Sequence, residues 1–203
     1  MKKLISFLVV IVLMCSSTLA LGQADDVYVP SDWAEESVEY AYSIGLIDVK
    51  ADYKFKAPIT RLEFCEMAYV AVKKHSGMEE DIDIPLPSPF KDVDSQAVTI
   101  LNYAGIINGK SETEFAPNDY LTREEAATII VRTVDFAGGV NETKTYFDFA
   151  DKDKISDWAS SSVQRVCNMG IMIGVGDNKF APQEVYSTEQ AVITLVRAFQ
   201  KLK

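Results

Sequence analysis

The chain has 203 residues, 48% hydrophobic and 25% charged, with 20 Lys and Arg against 30 Asp and Glu and a formal net charge of −10. This balance excludes a wholly disordered chain, a collagen-like fibre and a multi-pass membrane protein. The acidic excess argues against general nucleic-acid binding, which needs a basic face, and three Cys and one His are too few for a disulfide scaffold or a multi-histidine zinc site.

At the N-terminus, Lys2 and Lys3 precede an apolar run from Leu4 to Met14 broken only by Ser6, then Ser16, Ser17 and Thr18. The pattern is that of a secretory signal peptide, too short for a comfortable bilayer span. Thr18-Leu19-Ala20 and Gly22-Gln23-Ala24 each place small residues at −3 and −1 of a cleavage site, and residues 1–24 are taken as the signal. Lipidation of Cys15 would want a small residue before it, where Met14 stands. No other stretch could cross a bilayer, so an exported chain without an integral membrane span is expected. Cys65 and Cys167 fall in helical apolar patterns and read as buried thiols.

Three segments then align on a Gly and a Phe ten residues apart: Gly45 and Phe55, Gly105 and Phe115, Gly170 and Phe180. Each Gly follows a helical pattern and precedes an apolar group, and each Phe opens a similar tetrad: Phe55-Lys56-Ala57-Pro58, Phe115-Ala116-Pro117-Asn118, Phe180-Ala181-Pro182-Gln183. A second helical pattern follows each tetrad, opened by Thr60-x-x-Glu63, Thr122-x-x-Glu125 and Ser187-x-x-Gln190, all of capping-box form. Each unit therefore reads helix, Gly stop, short loop, helix. Ala34, Val38, Ala41 and Ile44 mark the buried stripe of the first helix. Ala126, Ile129, Ile130 and Val134 mark that of the second unit's later helix, and Ala191, Val192, Leu195, Val196 and Phe199 that of the last. A lone helix pair cannot bury such stripes, so the units are expected to pack on one another. The predicted repeats cover 25–76, 90–136 and 147–203, separated by linkers at 77–89 and 137–146.

The capping boxes explain the Thr, Ser and Glu positions but not Arg61 and Arg123. At the first helical position a cation meets the positive end of the macrodipole, at a cost of roughly 0.3–1 kcal/mol. Free amides beside a guanidinium nevertheless make a good receptor for a carboxylate or phosphate. Trp33 and Trp158 each lie twelve residues before their unit's Gly and follow an Asp (Asp32, Asp157). They read equally as aromatic anchors of the first helix, with the Asp as its N-cap, or as platforms for stacking a sugar. Asp148, Asp151, Asp153 and Asp157 do not meet the spacing of a calcium loop and read as a solvated acidic turn.

Together these features resemble the S-layer homology domain. The resemblance rests on the Phe90-Lys91-Asp92-Val93 lead-in and its weaker counterpart Phe147-Asp148-Phe149, on the two tryptophans, and on the Gly turns. It rests also on the Phe-x-Pro-like loop ends and on the motifs Ile59-Thr60-Arg61-Leu62-Glu63 and Leu121-Thr122-Arg123-Glu124-Glu125. It implies an all-α fold of three helix-loop-helix repeats packed with pseudo-threefold symmetry into one bundle. It implies non-covalent attachment to cell-wall polysaccharide, often a polymer bearing pyruvate ketals, held in grooves between repeats. Position by position it points to Arg61, Arg123, Trp33 and Trp158, to the loop glycines Gly109 and Gly174, and to Thr60 and Thr122 of the motif. The departures are Thr188 in place of a third Arg, Gln190 in place of Glu, Val49 at the first loop-glycine position, and Val93 where the middle unit would carry Trp. At most two competent grooves are therefore expected.

Two functions remain in view: a wall-binding module, and a degenerate scaffold that binds another exported protein through the same grooves. An enzyme is not expected, because no nucleophile–histidine–acid set, zinc-protease motif or phosphate loop is present. No metal or other cofactor is expected.

Overall fold

The computed structural model describes residues 26–78 and 86–202. The predicted signal peptide, with Cys15 and its cleavage sites, lies outside these residues, as does much of the first linker. Among the described residues the fold is all-α. Helices run α1 (Asp32–Ser43), α2 (Arg61–His75), α3 (Gln96–Tyr103), α4 (Arg123–Phe136), α5 (Asp157–Asn168) and α6 (Thr188–Lys201), with short 3-10 turns at Asp26–Tyr28 and Lys152–Lys154. No helix among these residues is long and apolar enough to cross a membrane.

Local chemistry sets the helix ends. Thr60, Thr122 and Ser187 each form a full capping box with Glu63, Glu125 and Gln190, so two otherwise orphaned amides are satisfied at each start. Gly45, Gly105 and Gly170 have φ of +62°, +72° and +67° and stop α1, α3 and α5. In each case the Gly amide bonds to the carbonyl three residues back and the next amide to the carbonyl five residues back, the pairing that a left-handed C′ glycine permits.

The second helices of the units, α2, α4 and α6, touch one another pairwise. Each first helix packs on the second helix of the preceding unit, α3 on α2 and α5 on α4, and α1 lies on α6. The predicted apolar stripes fill this core, with Ala34, Val38, Ile130, Val134, Val192 and Leu195 all almost wholly buried. Cys65 and Cys167 are buried and free; burial pushes their thiols up to about 12 and about 11.

At the centre, the residues just before the three capping boxes form a closed ring of backbone hydrogen bonds. Ile59 N–H donates to Tyr186 O (2.9 Å), Tyr186 N–H to Leu121 O (2.8 Å), and Leu121 N–H to Ile59 O (3.1 Å). All three side chains are fully buried. A second set surrounds this ring. The amides of Arg61, Arg123 and Thr188 donate to the carbonyls of Asp119, Glu184 and Ala57, so each helix start is tied to another unit's loop.

Carboxylates lock the loops and correct two sequence readings. Asp92 accepts from the amides of Phe115 and Ala116, and Asp151 accepts from those of Phe180 and Ala181. Ala116 and Ala181 have φ of +59° and +58°, a strained conformation for a β-carbon residue that the paired bonds hold in place. The third lead-in is therefore Phe149-Ala150-Asp151, two residues later than Phe147-Asp148-Phe149. Phe149 packs on Phe180 as Phe90 packs on Phe115. Asp151 is buried, so the solvated-turn reading fails for it.

Nor do Asp32 and Asp157 cap their helices. Ser31 and Ser156 hold the N-cap positions without capping through their own side chains. Instead each serine gives its amide and hydroxyl to a buried glutamate of another unit: Ser31 to Glu189 (2.9 and 3.1 Å), Ser156 to Glu124 (2.9 and 2.7 Å). Leu62 occupies the corresponding position of α2, and α3, the first helix that packs there, is capped by its own Ser95.

Glu189 thus ties α1 to α6. Removing a charged acceptor that satisfies buried donors costs about 1–3 kcal/mol. Glu189→Ala and Glu124→Ala should each lower unfolding free energy by that amount in urea titrations; a wild-type midpoint for either variant would contradict the assignment.

Candidate functional site

The bundle carries three comparable clefts, each floored by one of the second helices. The α4 cleft, about 180 Å³, is lined by Arg61, Asn108, Gly109, Lys110, Glu125, Thr128, Ile129, Arg132 and Trp158. The α6 cleft, about 360 Å³, is lined by residues that include Arg123, Ile173, Gly174, Gln190, Arg197 and Trp33. The two correspond part for part: an arginine from the unit before, a glycine loop and helix from the unit itself, and a tryptophan from the remaining unit. Arg61, Gly109 and Trp158 meet in one cleft, and Arg123, Gly174 and Trp33 in the other. Neither cleft is built by a single repeat.

The arginines are brackets as well as lining groups. Arg61 is 5% exposed; its Nε donates to Phe115 O (3.0 Å) and its Nη2 to Asn108 O (3.0 Å), with the guanidinium 4.8 Å from the Phe115 ring centre. Arg123 repeats this on Phe180 O (2.9 Å), Ile173 O (3.0 Å) and the Phe180 ring (5.1 Å). Each guanidinium thus meets the cost of its position at a helix start with carbonyl acceptors and an aromatic face. Each pins the next unit's loop and leaves its remaining edge at the cleft.

The two clefts differ in how far that charge is neutralised. Arg61 Nη1 lies 3.6 Å from Glu125, which also binds Lys110 at 2.5 Å. Arg123 forms no salt bridge among the described residues, because Gln190 stands where Glu125 stands in the α4 cleft. Burial lowers its pKa from the ordinary guanidinium value, offset in part by Tyr186 and Glu184. A buried cation lacking a carboxylate partner favours an arriving anion.

The tryptophans are not core anchors: Trp33 is 61% and Trp158 58% exposed, each a flat apolar face at a cleft rim. Thr60 and Thr122 spend their hydroxyls on the capping boxes and line neither cleft. Gly109 and Gly174 do line them, but the volume a Cβ would take lies 2.4 Å from Ser111 O and 2.6 Å from Lys179 O respectively. These glycines let each loop fold back on its own carbonyls.

Sequence reading missed Arg132 and Arg197, the second cation of each cleft, and Lys110. The signal was present: Arg132 and Arg197 both fall nine residues after the first residue of their helix, the position that Val70 holds in α2.

Residues 89–127 and 148–185 match the S-layer homology domain. Phe90 and Phe149 each stand second in their matched segment, in keeping with the corrected third lead-in. Exoglucanase XynX of Acetivibrio thermocellus is 28% identical over 178 residues, covering 85% of this chain and 16% of its own length. The amylopullulanase of Thermoanaerobacterium thermosulfurigenes is 27% identical over 178 residues, 85% of this chain and 9% of its own. The surface-layer 125 kDa protein of Lysinibacillus sphaericus is 31% identical over 160 residues, 75% and 13%. The chain therefore spans about a sixth or less of these relatives.

Burial would raise the Glu125 carboxyl, but the hydrogen bonds from Lys110 and the Thr122 amide, with the charges of Lys110 and Arg61, outweigh it and hold it below the ordinary carboxylate range. A folded-state pKa below the unfolded one stabilises the fold at neutral pH, and that contribution is lost as pH falls through the folded value. Carboxyl carbon-13 titration should place Glu125 below an ordinary glutamate, and Lys110→Ala should move it upward. A midpoint at the ordinary value, unmoved by Lys110→Ala, would contradict the ion pair.

Proposed function

We propose that this chain is an exported, non-catalytic wall-binding module built of three S-layer homology repeats, with residues 25–76 as the repeat beyond the two matched segments. In this reading the α4 and α6 clefts hold acidic secondary cell-wall polysaccharide of the pyruvylated type. The carrying observation is that each of these clefts joins a bracketing arginine, a second arginine one helix away and an exposed tryptophan. That combination suits a sugar ring bearing a carboxylate: the indole covers the apolar face of the ring and the guanidiniums meet the anion.

The relatives support the same reading. An exoglucanase, an amylopullulanase and a surface-layer protein differ in their named roles, yet each shares with this chain only a small part of its length. A segment common to such different proteins is better read as attachment than as catalysis. The Brevibacillus brevis middle cell wall protein, 29% identical over 112 residues, points to the same surface setting.

The α6 cleft should dominate, since Arg123 and Arg197 face no lining carboxylate whereas Glu125 offsets part of the charge in the α4 cleft. Because the whole protein is acidic, binding should weaken as salt screens the local cations.

The test is sedimentation with purified wall polysaccharide, before and after its acidic groups are removed. Trp33→Ala should weaken binding roughly tenfold or more, the scale of a hot-spot loss of about 2 kcal/mol, and Trp158→Ala should weaken it less. Both rings are exposed, so thermal stability should hold. Arg197→Ala should act on intact polymer alone. Binding that ignores the acidic groups and survives loss of both tryptophans would favour the scaffold reading, in which another exported protein is the ligand.

A further inference from the structure

The third cleft, floored by α2, occupies the corresponding place in its unit but inverts the chemistry. Thr188 lies where the other clefts have Arg61 and Arg123, Val70 stands for the second arginine, and no tryptophan lines it. It is the largest of the three at about 640 Å³, with an apolar floor of Leu46, Ile47, Ile59, Met67 and Val70. Asp48, Asp52, Glu63 and Glu66 line it against the lone ammonium of Lys54, and none of these carboxylates is in a salt bridge among the described residues. Glu63 gives one oxygen to its capping box, and Asp48 accepts from the Lys50 amide. Burial and the charge of neighbouring Glu63 raise Glu66 above its ordinary value, a repulsion that an arriving cation relieves.

We propose that the α2 cleft is a docking site for a lysine-bearing basic segment of a partner protein. The lysine stem has the length and apolarity to lie over Met67 and Val70 while its ammonium reaches the carboxylate rim, the way long cationic side chains divide between apolar surface and water. An acidic glycan meets four carboxylates against one lining ammonium there, and a neutral sugar lacks the indole platform of the other clefts. The proposal uses no lining residue of the α4 or α6 clefts, so it stands or falls apart from the polysaccharide reading.

The probe is pentalysine, titrated into the nitrogen-15-labelled protein with penta-Nε-acetyllysine as the uncharged control. Pentalysine should move the amides of Gly45, Val49, Tyr53 and Glu66, and the acetylated peptide should leave them in place. Asp52 and Glu66 are exposed, so the pair Asp52→Asn and Glu66→Gln should fold normally while weakening pentalysine about three- to tenfold, the scale of two exposed ion pairs. The pair Glu36→Gln and Glu39→Gln, on the exposed side of α1, should change it less than twofold, and polysaccharide binding should survive the Asp52 and Glu66 changes. The proposal is overturned if both variant pairs weaken pentalysine equally, if shifts spread evenly over the acidic faces, if the acetylated peptide binds as well, or if a wall-glycan fragment shifts these same amides.

Discussion

The structure depends on the ring of three backbone hydrogen bonds through Ile59, Leu121 and Tyr186. Each of these residues sits just before a helix start, donates once and accepts once, and does so where no water can substitute. Buried backbone groups must be paired, so no unit can satisfy this stretch alone. The arrangement of the clefts follows from the ring. Fixing the three helix starts around one centre places every motif arginine against the next unit's loop and brings the first helix of the remaining unit to the rim.

The bracket arginines show how a residue committed to the fold can still line a cleft. Two donors of each guanidinium hold the neighbouring loop and the aromatic ring beneath supports its face, while the remaining edge lies at the cleft. Rotamer freedom is thus surrendered on folding, and a ligand of the proposed kind would not have to supply that ordering cost. Where Thr188 replaces the arginine, its hydroxyl still reaches Ala57 O, at 3.4 Å, but no charge is delivered. The α2 cleft then takes its character from Asp48, Asp52, Glu63 and Glu66.

Much of the fold was legible because it is written in local chemistry. The glycine stops, the capping boxes and the apolar stripes each involve residues a few positions apart, and the structure places them where the spacing puts them. The grouping of Arg61 with Gly109 and Trp158, or of Arg123 with Gly174 and Trp33, was not legible. It depends on which helix packs on which, a choice made by long-range contacts such as Glu189 with Ser31. The same limit hid the third lead-in: Phe147 and Phe149 are both aromatic, and the bonds that the Phe180 and Ala181 amides donate to Asp151, with the packing of Phe149 on Phe180, decide between them. Gly109 was legible as a position but its reason was not, since its missing Cβ makes room for a carbonyl of its own loop.

Closure of the hydrogen-bond ring has a further consequence. An open solenoid can lengthen by one module at a time, because its terminal surfaces remain available for stacking. Here the last donor returns to the first acceptor, so a fourth unit would find no vacant partner without breaking the circle. The number of units in one such body is thereby capped, and under the proposed wall-binding reading stronger attachment would come from gathering several bodies on one surface, where effective concentration multiplies their contacts.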